Sequence, residues 1–342
     1  MASADGASVT GKMLWVPFFS LFLLLGSTSS LAFASPEPRA GSTSDVAFGA
    51  VPIPDRTIAK TLLPGYTIRH EAPEVRLQFS ISDERGHAVN RLSQSDFQVL
   101  DNQRTVTHIR NFSRSDDLPL RMGMLLDVSD SVRKGLAYER QAAQFVIGHL
   151  VRFQSDQVFL ATFSRDATLR QGFTNDREAL FQSMSKVGQQ GHLTYLFDSL
   201  YHVSLDQFSP DPSSDTAQRV LLLISDGSDT GSVHSLEEAI TAAQRRGIQI
   251  YALTFHPSRF SSPGDQVLKR LADATGGQFL IASNDKDIPG LCALMEQQMR
   301  AQFAVSFQPA EPVPGFHSVH IELLRDSRLR VHARQAYFFG TP

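Results

Sequence analysis

Two hydrophobic periods alternate along this chain, and the places where one gives way to the other mark its organisation. Val75, Leu77, Phe79 and Ile81 recur at every second position up to the turn-like Asp83-Glu84-Arg85-Gly86, which predicts a half-buried strand and a hairpin turn. Phe97-Gln98-Val99-Leu100, a turn at Asp101-Asn102-Gln103, and the stretch from Val106 to Phe112 predict a second hairpin. From Arg121 the pattern changes to unbroken apolar runs separated by amphipathic stretches. The runs predict strands at 122–126, 157–163, 220–225, 248–254 and 278–281. The stretches between and after them predict helices at 131–151, 177–186, 196–205, 236–246, 265–275 and 288–300. Asp265 opens one of these helices and Gly276-Gly277 closes it. This rhythm belongs to an α/β fold: a doubly wound, mostly parallel sheet with helices on both faces. After Arg300 the alternation returns at Phe303, Val305 and Phe307, at Val319, Ile321 and Leu323, and at Leu329, Val331 and Ala333. These last strands are expected to join the amino-terminal hairpins in one small β layer.

The amino-terminal segment follows neither period. Lys12 precedes an apolar stretch from Met13 to Leu25, and Ala32-Phe33-Ala34 then offers a small-x-small cleavage pattern, so 1–34 reads as an export signal. An uncleaved anchor is the alternative, although the stretch is shorter than the ~20 apolar residues a span needs. Residues 35–70 are rich in Pro, Ser, Ala and Gly and read as a flexible linker. The expected organisation is then 71–117 as a β hairpin unit, 118–300 as the α/β domain, and 301–342 as a β segment that packs with the first unit. In 342 residues a formal charge of -3 provides no basic face for nucleic acid or anionic lipid. With one cysteine, Cys292, no internal disulfide can form. An exported chain without disulfides points to a bacterial envelope protein, in the periplasm, at the cell surface or secreted, with no membrane span in the mature chain.

Chemistry enters at the ends of the predicted parallel strands, the edge where open α/β sheets bind ligands. Asp127-Val128-Ser129-Asp130-Ser131 follows one strand, Asp226 follows another, and Thr194 begins a helix. Alternate residues of a loop leaving a strand point to the same side, so Asp127, Ser129 and Ser131 can face one ion. Two carboxylates and three hydroxyls are hard oxygen donors, suited to Mg²⁺ or Mn²⁺ and not to zinc, copper or an iron–sulfur cluster.

The order and spacing of these pieces resemble the metal-ion-dependent adhesion site of von Willebrand factor type A domains. That resemblance implies that Ser129 and Ser131 ligate the metal directly, and that Asp127 and Asp226 do so directly or through water. Thr194 would bind in the ligand-competent state, and a partner's carboxylate would fill the open position. The flanking pieces, from Ser93-Gln94-Ser95-Asp96-Phe97 to Ile109-x-x-Phe112 and Val331-x-Ala333-Arg334-x-x-Tyr337, resemble the VWFA-related acidobacterial domain family. Asp130 departs from the pattern where such loops often carry Gly, and it either strengthens the site or faces solvent. Phe303 and Phe307 stand where Tyr is expected.

Other candidate sites carry less. Asp229-Thr230-Gly231 copies the aspartic protease triplet but follows a buried strand, and reads better as a loop capping the helix near Leu236. The 11 histidines are scattered, and His192 reads as an exposed loop residue. No Walker loop and no Gly-x-Ser-x-Gly elbow occurs. The expectation is an exported, non-enzymatic binding module that captures an acidic group on a protein partner through Mg²⁺ or Mn²⁺. An envelope scaffold with a degenerate site is the alternative, ahead of a Mg²⁺-dependent hydrolase. The hydrolase lacks a nucleophile, because Ser129 and Ser131 are taken as ligands.

Overall fold

The computed structural model describes residues 74–116, 118–133, 135–150, 156–208, 217–256, 261–324 and 328–340. The expected leader and linker lie outside them. Strands β1 (Val75–Ser82), β2 (Phe97–Asp101), β3 (Arg104–Thr105) and β4 (Ile109–Asp116) come first. Then follow β5 (Leu120–Asp127), α1 (Leu136–Leu150), β6 (Gln157–Phe163), β7 (Ala167–Thr174), α2 (Arg177–Ser185), α3 (Leu196–Gln207) and β8 (Gln218–Ile224). The sequence continues through α4 (Leu236–Arg245), β9 (Ile248–Phe255), α5 (Pro263–Thr275), β10 (Phe279–Ala282) and α6 (Asp287–Arg300). It closes with β11 (Ala301–Phe307), β12 (Gly315–Leu323), β13 (Arg330–Ala333) and β14 (Ala336–Phe339).

The central sheet has six strands in the order β10-β9-β8-β5-β6-β7. All neighbours run parallel except β6 and β7. The chain winds outward from β5 in both directions, so the order reverses between β5 and β8. Alternating side chains of β5 supply both cores: Met122, Met124 and Leu126 pack with α1, α2 and α6, while Leu125 packs with α3, α4 and α5. Gly123 is required here, because a Cβ would stand 2.2 Å from the Phe159 ring. Among the described residues no helix is long and apolar enough to cross a membrane.

The flanking segments form two sheets, not one layer. One has the order β13-β1-β11-β4 and the other β14-β12-β2-β3, all antiparallel. Their inner faces share one core, in which Phe79 meets Phe97 at 5.6 Å and Phe307 meets Tyr337 at 6.0 Å between ring centroids. The predicted second hairpin therefore splits: β2 and β3 stay in one sheet while β4 crosses to pair with β11. Both Phe303 and Phe307 are buried in this core, where a tyrosine hydroxyl would need a partner.

Candidate metal centre

The switch between β5 and β8 places the expected residues together at the carboxyl edge of the sheet. Asp127 ends β5 and is fully buried. Its Oδ1 accepts from the Ser129 amide at 2.9 Å and its Oδ2 from the Ser225 hydroxyl at 2.8 Å. Those two bonds fix the plane of the carboxylate. The Ser129 and Ser131 hydroxyls lie 2.9 Å apart, so the loop presents them side by side. Ser129 is buried and Ser131 exposed, which leaves the cluster open on one side. The predicted helix at 131 starts later, at Leu136, because the chain first completes this loop through a turn at 131–133.

Thr194 and Asp226 reach the same edge from neighbouring loops. Backbone and side chain of Thr230 tie the two together: its amide donates to the Thr194 carbonyl at 2.8 Å, and its hydroxyl accepts from the Thr194 amide at 2.9 Å. The Tyr195 amide donates to the Ser164 carbonyl and the Gln190 amide to the Val128 carbonyl, which anchors the loop to β5 and β6. Asp226 Oδ1 accepts from the Ser228 amide at 2.9 Å, and its backbone is pressed against α5. A Cβ on Gly264 would sit 2.0 Å from the Asp226 carbonyl, and one on Gly227 2.3 Å from the Gly264 carbonyl. Only a glycine pair permits this approach.

A residue that the motif does not include completes the charge. Glu139 projects from α1, is 4% exposed, and its Oε2 has no hydrogen-bond partner. Burial raises its carboxyl well above the ordinary range, and the nearby charges of Asp127 and Asp226 add to that. Burial likewise pushes Asp127 up to about 6, against its bonds from Ser129 and Ser225, with Asp226 adding to the rise. The sequence carried a signal for Glu139: it occupies the apolar stripe of α1 with Ala142, Ala143 and Val146, where a carboxylate has no place without a positive partner. Asp130, by contrast, turns outward to His192 and Gln189, and its bond with His192 lowers its carboxyl.

Asp229 belongs to the scaffold. Its Oδ1 accepts from the Phe197 amide at 3.2 Å at the start of α3 and from the Ser232 hydroxyl at 2.5 Å. It caps α3 and not the helix near Leu236. That helix, α4, is capped by Ser235 in a reciprocal arrangement with Glu238. Among the described residues no group of three or more His, Cys, Asp and Glu side chains is arranged to hold a metal. The candidate set is instead two carboxylates with three hydroxyls, beside a buried carboxylate of which one oxygen has no hydrogen-bond partner. Such a set suits a hard dication, whose charge would offset the repulsion among Asp127, Asp226 and Glu139.

A layered α/β unit with this loop cluster defines an adhesion-type domain. The chain belongs to the von Willebrand factor type A family, whose model matches residues 122–293. Domains of this family are general adhesion and protein-interaction modules. A von Willebrand factor type A structure from Catenulispora acidiphila aligns at 10% identity and TM-score 0.47, over 79% of this chain and 75% of that one. Proximal thread matrix protein 1 from the mussel byssus, in a form with a zinc-occupied metal-ion-dependent adhesion site, aligns at 18% identity and TM-score 0.44 over 54% of this chain. An aerotolerance-related membrane protein from Bacteroides fragilis aligns at 16% identity and TM-score 0.43, over 53% of this chain and 98% of that one. This chain spans about half the length of the mussel protein, covering 48% of it. No curated protein matches.

Proposed function

We propose that the chain is an exported, non-enzymatic binding module in which Asp127, Ser129, Ser131, Thr194 and Asp226 hold Mg²⁺ or Mn²⁺. The ion then captures an acidic group of a protein partner. The observation that carries this reading is the crowding of Asp127, Asp226 and the buried Glu139, whose Oε2 has no hydrogen-bond partner, at one sheet edge opened to the surface beside Ser131. An uncompensated carboxylate cluster is costly in a folded protein unless a cation belongs there. Two exposed apolar side chains stand on the loops around the opening, Leu193 at 42% and Val233 at 90% exposure. The amide of Val233 is pinned by Asp198, so this rim is built and not loose. An apolar rim around a charged centre is the composition of a protein-recognition surface. In the same reading the α/β domain covers 118–300, and the flanking β segments present it at the end of a linker.

Calorimetric titration of the purified chain with Mg²⁺ and Mn²⁺ tests this. One ion per chain is expected, lost in Asp127→Ala when circular dichroism shows that variant folded. Heat of binding that persists in Asp127→Ala would remove the ion from this site. No binding to the wild type would favour the envelope scaffold with a degenerate centre.

A further inference from the structure

The core-facing stripe of α1 begins with a charge. Glu139 lies in the first turn of the helix, and one turn further on Ala142, Ala143 and Val146 share a core with Leu126, Val128 and Ile224. Leu126 and Val128 flank Asp127 in the chain, and Ile224 stands just before the Ser225-Asp226 pair. This face of α1 therefore packs against the roots of both acidic arms of the metal centre.

Apolar groups wall Glu139 in. A Cβ on Gly135 would stand 3.8 Å from both Glu139 Oε1 and the Phe255 ring, and Tyr138 stacks on that ring at 3.9 Å between centroids. Glu139 is 4% exposed, and its Oε2 is sealed with no hydrogen-bond partner. Among the described residues the charges acting on it are those of Asp127 and Asp226, both of its own sign. A glutamate in a first turn is ordinary at a surface, where it faces the positive end of the helix dipole. A dipole of about half a charge does not balance a sealed carboxylate beside two others.

We propose that Glu139 is a third carboxylate of the metal centre, acting on the ion by its charge and replacing none of the five motif residues. The proposal rests on the metal reading above and goes beyond it, because the motif contains two carboxylates and this centre three. A dication leaves such a centre with a negative excess, and a trivalent ion neutralises it. The attraction between one carboxylate and an ion grows in proportion to the ion's charge. Removing Glu139 therefore costs a trivalent ion about one and a half times the free energy that it costs a dication, so a tenfold loss for Mg²⁺ becomes a loss of about 30-fold for Tb³⁺.

Calorimetric titration of the full chain with Mg²⁺, and separately with Tb³⁺, tests this in wild type, Glu139→Gln and Asp127→Ala. Glu139→Gln should weaken Mg²⁺ at least tenfold and Tb³⁺ by the larger factor, while Glu139→Asp, which keeps the charge, stays closer to wild type. In EDTA near neutral pH, Glu139→Gln should melt above wild type, whereas loss of a merely structural side chain would lower the melting temperature. Glu139→Met continues the apolar stripe and repeats both measurements if the glutamine variant does not fold. Mg²⁺ affinity within about threefold of wild type in the neutral variants, equal losses for the two ions, or lower melting temperatures in EDTA for both neutral variants would each overturn the proposal. Wild type that binds neither ion would remove the adhesion reading itself. Binding that Asp127→Ala loses and Glu139→Gln keeps would remove this inference alone.

Discussion

Asp127 is held in a state that the metal-free protein does not favour. Its carboxyl sits at about 6 in the fold, above its value in an unfolded chain, so the native state binds that proton more tightly. Its contribution to stability is therefore least unfavourable in acid, declines as pH rises through about 6, and stays unfavourable above that. Asp127→Asn removes the charge while keeping an acceptor for Ser129 and a group that can meet Ser225. In EDTA near neutral pH this variant is expected to unfold at a higher temperature than wild type, by up to about 3 kcal/mol, with the gap closing in acid. Equal melting temperatures near neutral pH would mean that the carboxylates are not crowded. At this scale the motif residues were legible because Asp-x-Ser-x-Ser, a Thr and an Asp keep a fixed chain order. Glu139 was not, because it is a single polar residue in an apolar stripe.

Helices and parallel strands were legible because their apolar periods span many residues and their ends carry local chemistry. Ser235 with Glu238 and Ser262 with Asp265 close capping boxes at α4 and α5, and Gly276 ends α5 at φ 82°. Strand β7 escaped notice because it lies at the sheet edge and is half exposed, with Thr, Arg and Gln among its residues. An edge strand needs no apolar run. The split of β4 from its neighbours was also hidden, since alternation specifies which face is buried but not which strand is the partner. The contact between the loop after β8 and the start of α5 yields a prediction at this scale. Gly264→Ala alters no proposed ligand side chain, yet its Cβ would collide with the backbone carbonyl of Asp226. It should cost about 1–3 kcal/mol in thermal or urea unfolding, and calorimetry should show Mg²⁺ affinity reduced at least tenfold. Affinity that survives unchanged would place Asp226 outside the centre.

Across the whole molecule, one ion pair holds the α/β layer where it hands the chain to the β sandwich. Arg300 closes α6 and donates from Nη2 to Asp156 Oδ2 at 2.6 Å, while Asp156 Oδ1 accepts from the amide of Leu120. Asp156 is 1% exposed, so Asp156→Ala takes a carboxylate from the buried Arg300 guanidinium and the acceptor from the Leu120 amide together. Urea unfolding should show a loss of about 3–5 kcal/mol, and a loss below 1 kcal/mol would mean that water replaces the carboxylate. The sandwich itself joins the two ends of the described chain. Strand β1 lies between β11 and β13, and among the described residues β4 pairs with β11 alone, so β1 and β4 have their sheet partners in the last strands. During synthesis these early strands emerge as unpaired edges and wait while the whole α/β layer is made. The layer is complete in sequence before β11 is made, so it can form first, and the sandwich can close only when β11 to β14 arrive. A ribosome that stops before β11 thus leaves a sticky product with open strand edges, and arrival of β11 to β14 is what closes the sandwich.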